Sequence, residues 1–156
     1  MNNYELYHYG IPGMKWGVRR HTNSDGSLTS SGQKRAERDA KKLAKLTAKE
    51  IRKHRIYAER FNVAAGVGAL GDRRVKNVLD KTAKEATSAA KKKNKFMNKI
   101  TNKYKDTPYS DIKVETHKLD GGRTYVAALF GNAGRSPYDG SQRYHVTAGH
   151  WDNPDR

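Results

Sequence analysis

The sequence predicts an α+β chain whose helices and strands are segregated along its length. Two patterns carry that expectation. Apolar residues recur at spacings of three and four through residues 33–106, as on one face of a helix, and from residue 109 apolar and polar residues alternate as in half-buried strands. A third observation sets the N-terminus apart, because the stretch from Tyr4 to Arg20 follows neither period and is dense in aromatics and glycine. The expected architecture is therefore an N-terminal aromatic and glycine loop motif, two basic amphipathic helices and a C-terminal three-stranded antiparallel β-meander. In residue ranges these are a docking motif over 1–22, a linker over 23–32, a basic helical segment over 33–106 and a small β-sheet region over 107–156.

Asn23-Ser24-Asp25-Gly26-Ser27 reads as a turn, since Asn, Asp, Ser and Gly favour such backbone geometry. Ser30-Ser31-Gly32-Gln33 has the S-x-x-Q spacing of a capping box and marks a helix start. Beyond it, Ala36, Ala40, Leu43, Ala44, Thr47, Ile51, Ala58, Phe61 and Ala65 form one face. An alanine-rich stripe of this kind permits close approach to a neighbour while burying little area per residue. Gly66-Val67-Gly68-Ala69-Leu70-Gly71 then ends the helix. Its glycine spacing matches neither phosphate-loop pattern, so a nucleotide loop is disfavoured. Asp72 caps a second helix. Val75, Val78, Leu79, Thr82, Ala83, Ala86, Ala90, Met97, Ile100 and Tyr104 form its stripe, interrupted by Lys93. Thr107-Pro108 lies past its end, because a residue preceding proline is pushed out of the helical region.

In the last third, Ile112, Val114 and Thr116 alternate with Lys113, Glu115 and His117. Asp120-Gly121-Gly122 signals a hairpin. Arg123 to Phe130 is the most apolar strand and is expected at the centre of the sheet. Gly131 to Gly140 reads as a loop, Ser141 to Thr147 as a third strand, and Gly149 to Arg156 as a trailing end.

The opening stretch contains Gly10, Pro12, Gly13 and Gly17, which preclude a continuous helix. It is also too apolar for a solvated tail. Trp, Tyr, Met and Arg are the residues enriched in interface cores and hot spots, so Tyr7, His8, Tyr9, Met14, Lys15, Trp16, Arg19 and Arg20 are candidate partner-binding residues. The bland alternative is that these aromatics cap the chain's own core. The run His8-Tyr9-Gly10-Ile11-Pro12-Gly13-Met14-Lys15-Trp16-Gly17-Val18-Arg19-Arg20, followed by Asp25-Gly26-Ser27-Leu28-Thr29 and Gly32-Gln33-Lys34-Arg35, resembles a segment of tailed-bacteriophage structural and head-associated proteins. That pattern is roughly H-x-G-x-x-G-M-K-W-G-x-R-R, then D-G-S-L-T, then a G-x-K-R helix start. Ser30-Ser31 stands here where the family often has Pro-Ala. The resemblance covers residues 4–35 and implies a virion context, with a capsid, portal or minor head protein as partner. It supplies no catalytic residue.

Charge points to the other partner. The chain of 156 residues carries 32 Lys and Arg against 16 Asp and Glu, a net charge of +16. Residues 33–105 hold 23 of the basic and 7 of the acidic residues, a surplus of 23 − 7 = 16, and the other residues carry 9 of each. The whole excess thus lies on the helical segment, which argues for a polyanion. Lys41, Lys42, Lys45, Lys49, Arg52, Lys53, Lys91, Lys92, Lys93, Lys95 and Lys99 are the candidate nucleic-acid-binding residues. Lysine predominates among them, which suits charge neutralisation better than bidentate base recognition, and no helix-turn-helix or RNA-recognition signature is evident. A solvated basic face that merely confers solubility is the competing reading.

Hydrophobic residues make up only 35% of the chain, below the usual 45–50%, so its apolar core is thin. Cysteine is absent, which removes disulfides, thiolate metal sites and cysteine nucleophiles and fits assembly in a reducing cytoplasm. No run is long and apolar enough to span a bilayer, and no secretory signal is seen. Neither cofactor nor metal is expected. His117, His145 and His150 with Asp111 or Asp152 lack a local ligand spacing. Asp111, Glu115, Asp120 and Asp139 neighbour basic residues and read as surface ion pairs. Ser136 and Ser141 lack a nucleophile elbow.

The sequence reading is thus a non-enzymatic phage virion-associated or head-assembly protein. It resides in the virion and, during assembly, in the host cytoplasm; the N-terminal motif docks and the lysine-rich helices contact DNA non-specifically or an acidic protein. Self-association is compatible with it. The alternatives are a stand-alone non-specific nucleic-acid-binding protein and a small phage enzyme with its site on the C-terminal sheet.

Overall fold

The structure, a computed structural model, describes residues 21–23, 27–119 and 122–152. Its elements are α1 (Ser30–Gly66), α2 (Arg73–Tyr104), β1 (Ile112–Lys118), β2 (Thr124–Arg135) and β3 (Gln142–Asp152). The strands form one antiparallel sheet in the order β1-β2-β3. The α+β expectation therefore holds, with the most apolar strand at the centre. Residues 1–20 of the docking motif, residues 24–26 of the linker, the Asp120-Gly121 part of the first hairpin turn and residues 153–156 lie outside the described residues.

The chain enters α1 through a small closed loop. Thr22 bridges Leu28, the Asn23 N–H donates to the Ser27 carbonyl at 2.7 Å and the Thr29 N–H to the His21 carbonyl at 3.1 Å. Leu28 is buried by this arrangement and joins the main core. The helix cap falls one residue before the expected box. Thr29 keeps an extended backbone, and its hydroxyl accepts from the Gly32 N–H at 3.2 Å, so Ser30 is already helical. Gly32 is required by crowding, since a Cβ there would stand 2.1 Å from the His21 carbonyl oxygen.

α1 runs for 37 residues, about 55 Å at 1.5 Å per residue. Its end is a Schellman turn: the Ala69 N–H donates to the Ala64 carbonyl and the Gly68 N–H to the Ala65 carbonyl, with Gly68 at φ 68°. The Asp72 carboxylate then accepts from the N–H groups of Arg74 and Val75 and starts α2 antiparallel to α1. The glycine cluster thus forms a tight, hydrogen-bonded turn.

α1 is the element shared by the two halves of the fold, packing on α2 and on β2 and β3. Ala36, Ala40, Ala44 and Ala48, one turn apart, are all buried together with Leu43 against Val126, Ala128, Phe130, Val146 and Ala148 of the sheet. Small residues on this row let the helix lie close to the strands. α2 reaches the sheet through Tyr104, whose ring meets the edge of Phe130 at a centroid distance of 5.7 Å. Burial pushes the Tyr104 phenol well above its usual titration range, and its hydrogen bond to Asp39 adds to the shift.

Two strand boundaries differ from expectation. β2 continues to Arg135 through the segment expected to be a loop from Gly131. Gly131, at φ 72°, lets the strand pass under the Pro108–Tyr109 connection, where a Cβ would lie 2.5 Å from the Pro108 carbonyl oxygen. The ladder resumes with a register shift between Asn132 and Arg135, and the turn proper spans Ser136 to Ser141. β3 likewise continues to Asp152 instead of trailing off at Gly149. Gly149 lies beneath the Tyr125 ring, which leaves no room for a Cβ, and Tyr125 pairs across the ladder with Trp151.

The outer half of α1 also departs from the expected face. Ala58, Phe61 and Ala65 are exposed, and Ala64 is buried in their place. Beyond Arg55 the sheet ends, and among the described elements α2 alone covers the helix.

Candidate nucleic-acid interface

The sequence groups the basic residues of the helices together; the fold divides them into two classes. The first class holds the helices to each other and to the sheet. Lys53 on α1 bonds Glu85 on α2 at 2.6 Å, and Lys93 on α2 bonds Glu50 on α1 at 2.9 Å. Lys103 pairs with Asp39. Arg52 donates from Nε to Oδ1 of Asp152 at 2.6 Å, while a guanidinium nitrogen of Arg55 stands 3.4 Å from Oδ2 of the same carboxylate. Asp152 is completely buried. The Lys53 ammonium, by hydrogen bond and then by charge, holds the Glu85 carboxyl below its usual value. Arg52, Lys53 and Lys93, expected as polyanion contacts, are thus structural ties.

The second class is Lys41, Lys42, Lys45, Lys49, Lys91, Lys92, Lys95 and Lys99. All are exposed, and none pairs with a carboxylate among the described residues. Their spacing sorts them further. Lys42, Lys45 and Lys49 follow i, i+3, i+7, and so do Lys92, Lys95 and Lys99, so each trio lies on one face of its helix. The antiparallel hairpin sets these two faces side by side. Lys49 and Lys92 line one shallow groove together with Ser88 and the Lys53–Glu85 pair, and Lys42 sits over the Phe96 ring at 4.8 Å. The result is a two-helix face of exposed lysines, one of which, Lys42, rests its ammonium on an aromatic ring. Lys41 projects from an adjacent side of α1, and Lys91 lines a separate depression on α2 with Asp80 and Lys84.

The sheet offers no comparable convergence. His145 stacks on Tyr109 at 5.1 Å, His117 lies near Tyr125 at 6.5 Å, and His150 pairs in register with Val126. Among the described residues no three His, Asp or Glu side chains gather as a metal site. Asp111 pairs with Lys113 and Glu115 with His117, at 3.6 and 3.7 Å. Ser136 and Ser141 hold the Asp139 carboxyl below its usual range through hydrogen bonds, which makes the trio a turn brace. No helix among the described residues is long and apolar enough to cross a membrane.

The residues proposed for docking, Tyr7, His8, Tyr9, Met14, Lys15, Trp16, Arg19 and Arg20, lie outside the described residues. Comparison with known proteins bears on that stretch. A model of a family of unknown function, DUF7211, matches residues 3–23. No curated protein and no solved structure matches the chain. The family match ends before α1 begins, so the sequence unit it describes coincides with the opening motif and not with the helices or sheet.

The sequence does not anticipate Asp152 as the buried counter-ion of Arg52 and Arg55, nor the exposure of the outer hairpin. The signal for Asp152 was its even-numbered place in the alternation of β3, which puts it on the helix-facing side with Val146 and Ala148.

Proposed function

We propose that this chain is a non-enzymatic bacteriophage assembly protein that binds nucleic acid without sequence preference through the Lys42, Lys45, Lys49, Lys92, Lys95 and Lys99 face. Its opening motif anchors it to a capsid, portal or minor head protein. The observation that carries the nucleic-acid part is the convergence of two lysine rows on one side of the hairpin, each clear of carboxylate partners among the described residues. Six ammonium groups that pair with no carboxylate among the described residues, on one two-helix face, suit successive phosphates. Lysine on a flexible stem tolerates any base sequence. The phage part rests on the Met14-Lys15-Trp16-Gly17 resemblance, and the separate family match over residues 3–23 supports a modular anchor.

Displacement of counterions from about six phosphates predicts a slope near −5 for log affinity against log salt, at −0.9 per phosphate. Fluorescence anisotropy with a short DNA duplex measures it. A Lys45→Glu/Lys49→Glu/Lys92→Glu/Lys95→Glu variant should lose nearly all duplex binding while its circular dichroism stays unchanged. A flat salt response, or polyglutamate competing as well as duplex DNA, would redirect the site to acidic protein. For the anchor, Trp16→Ala should abolish co-sedimentation with phage particles and leave thermal stability unchanged. Absence of the wild-type chain from purified particles refutes the virion assignment.

A further inference from the structure

The free end of the hairpin is apolar where none of the described residues covers it. Phe61, Val63, Val67, Leu70 and Val78 are 41, 67, 73, 42 and 46% exposed, and these five are most of the large hydrophobic residues that the described chain leaves in solvent. Of these, Val63, Val67 and Val78 line an open groove of about 480 Å³ between the last turns of α1 and the first turns of α2. Val63, Val67, Val75 and Leu79 form its walls. Its charged margin consists of Glu59, Arg60 and Arg74. Arg55 engages Glu59 at 3.8 Å, whereas Arg60 and Arg74 pair with no carboxylate among the described residues. The Schellman turn and the Asp72 cap hold this end rigid, so the groove is formed in advance.

Exposed apolar surface rimmed by arginine is the composition of a protein-binding patch. Charge selects the occupant. A second copy would bring a net charge of +16 to an arginine rim. Residues 1–20 carry Glu5 against Lys15, Arg19 and Arg20, so that segment is basic as well. Both are repelled. We infer that the hairpin tip is a docking groove for an acidic amphipathic helix of another protein, its apolar i, i+3, i+4, i+7 anchors seated on Val63 and Val67 and its carboxylates on Arg60 and Arg74. The groove is distinct from the lysine face, and its occupancy leaves that face open.

A fluorescein-labelled synthetic peptide with leucine at those anchor positions and glutamate elsewhere tests this by anisotropy. The background is the Lys45→Glu/Lys49→Glu/Lys92→Glu/Lys95→Glu variant, so that the lysine face cannot capture the probe. Binding should persist there and should fall at least about tenfold with added Val63→Asp/Val67→Asp, and comparably with Arg60→Glu/Arg74→Glu. The apolar pair is solvent-exposed, and unchanged circular dichroism will show that the fold survives. The inference fails if the peptide does not bind, if it binds equally after Val63→Asp/Val67→Asp, or if a lysine-faced peptide binds as well. It also fails if sedimentation shows a dimer of the wild-type chain that Val63→Asp/Val67→Asp dissolves, since the occupant is then a second copy. Loss of duplex binding alone bears on the nucleic-acid reading and not on the groove.

Discussion

The two halves of α1 have similar sequence periodicity and opposite surroundings. In its first half Ala36, Ala40, Leu43, Ala44 and Ala48 are at most 1% exposed, enclosed by α2 on one side and by β2 and β3 on the other. In its last turns larger side chains, Phe61 and Val63, stand in solvent. Four alanines are thus buried while Phe61 and Val63 are exposed, the reverse of what the hydrophobicity of those side chains alone dictates. The difference teaches that burial along this helix is set by the reach of the sheet, which ends where Arg52 and Arg55 hold Asp152. Where the fold ends, an apolar surface remains for something else to cover.

The comparison breaks most severely at the sheet. Phe130 is fully buried between Tyr104 and the α1 alanines, and alanine cannot fill its volume. Phe130→Ala should destabilise by about 4 kcal/mol, a fall in melting temperature of about 10 °C for a chain of this size. Asp152→Ala comes next. It removes the buried carboxylate that marks the boundary between the halves and breaks its ion pairs with Arg52 and Arg55 at the sheet's end, for about 3 kcal/mol measured by urea unfolding. A loss below about 0.5 kcal/mol would show that the boundary is set by packing alone.

Thr47 sharpens the enclosed half in the other direction. Its hydroxyl is buried and has no hydrogen-bond partner among the described residues. Thr47→Val keeps the shape, removes an unsatisfied group and should stabilise by about 1 kcal/mol, seen as a higher urea midpoint. At the exposed end Val63→Ser should change stability by less than about 0.5 kcal/mol. A larger loss there would mean that the tip is part of the core. The smallest effect concerns the tie between the halves of the hairpin. Glu85 is held below its ordinary value of 4.5 by Lys53, so its stabilising contribution is present above pH 4.5 and is lost as pH falls through the lower folded value. NMR titration should place the Glu85 midpoint below 4.5 and return it towards 4.5 in Lys53→Met.

Much of this molecule was legible in the residues themselves. The helical stripe over 33–106, the Asp72 cap, the end of α1 at its glycine cluster and the central place of residues 124–130 follow from local rules: period, capping and turn chemistry act over a few neighbours, and neighbours are what a sequence displays. The concentration of charge on the helices was equally plain. Tertiary structure decided which cations are ties and which stand exposed, because Glu50, Glu85 and Asp39 find Lys93, Lys53 and Lys103 only across the antiparallel hairpin. It also decided that β3 runs to Asp152, since Arg52 and Arg55 lie a hundred positions earlier in the chain, and that Phe61 and Val63 stand uncovered. Periodicity says which face of a helix is apolar. Whether that face is covered depends on how far the partner element extends, a property of the assembled fold and of no single stretch of chain.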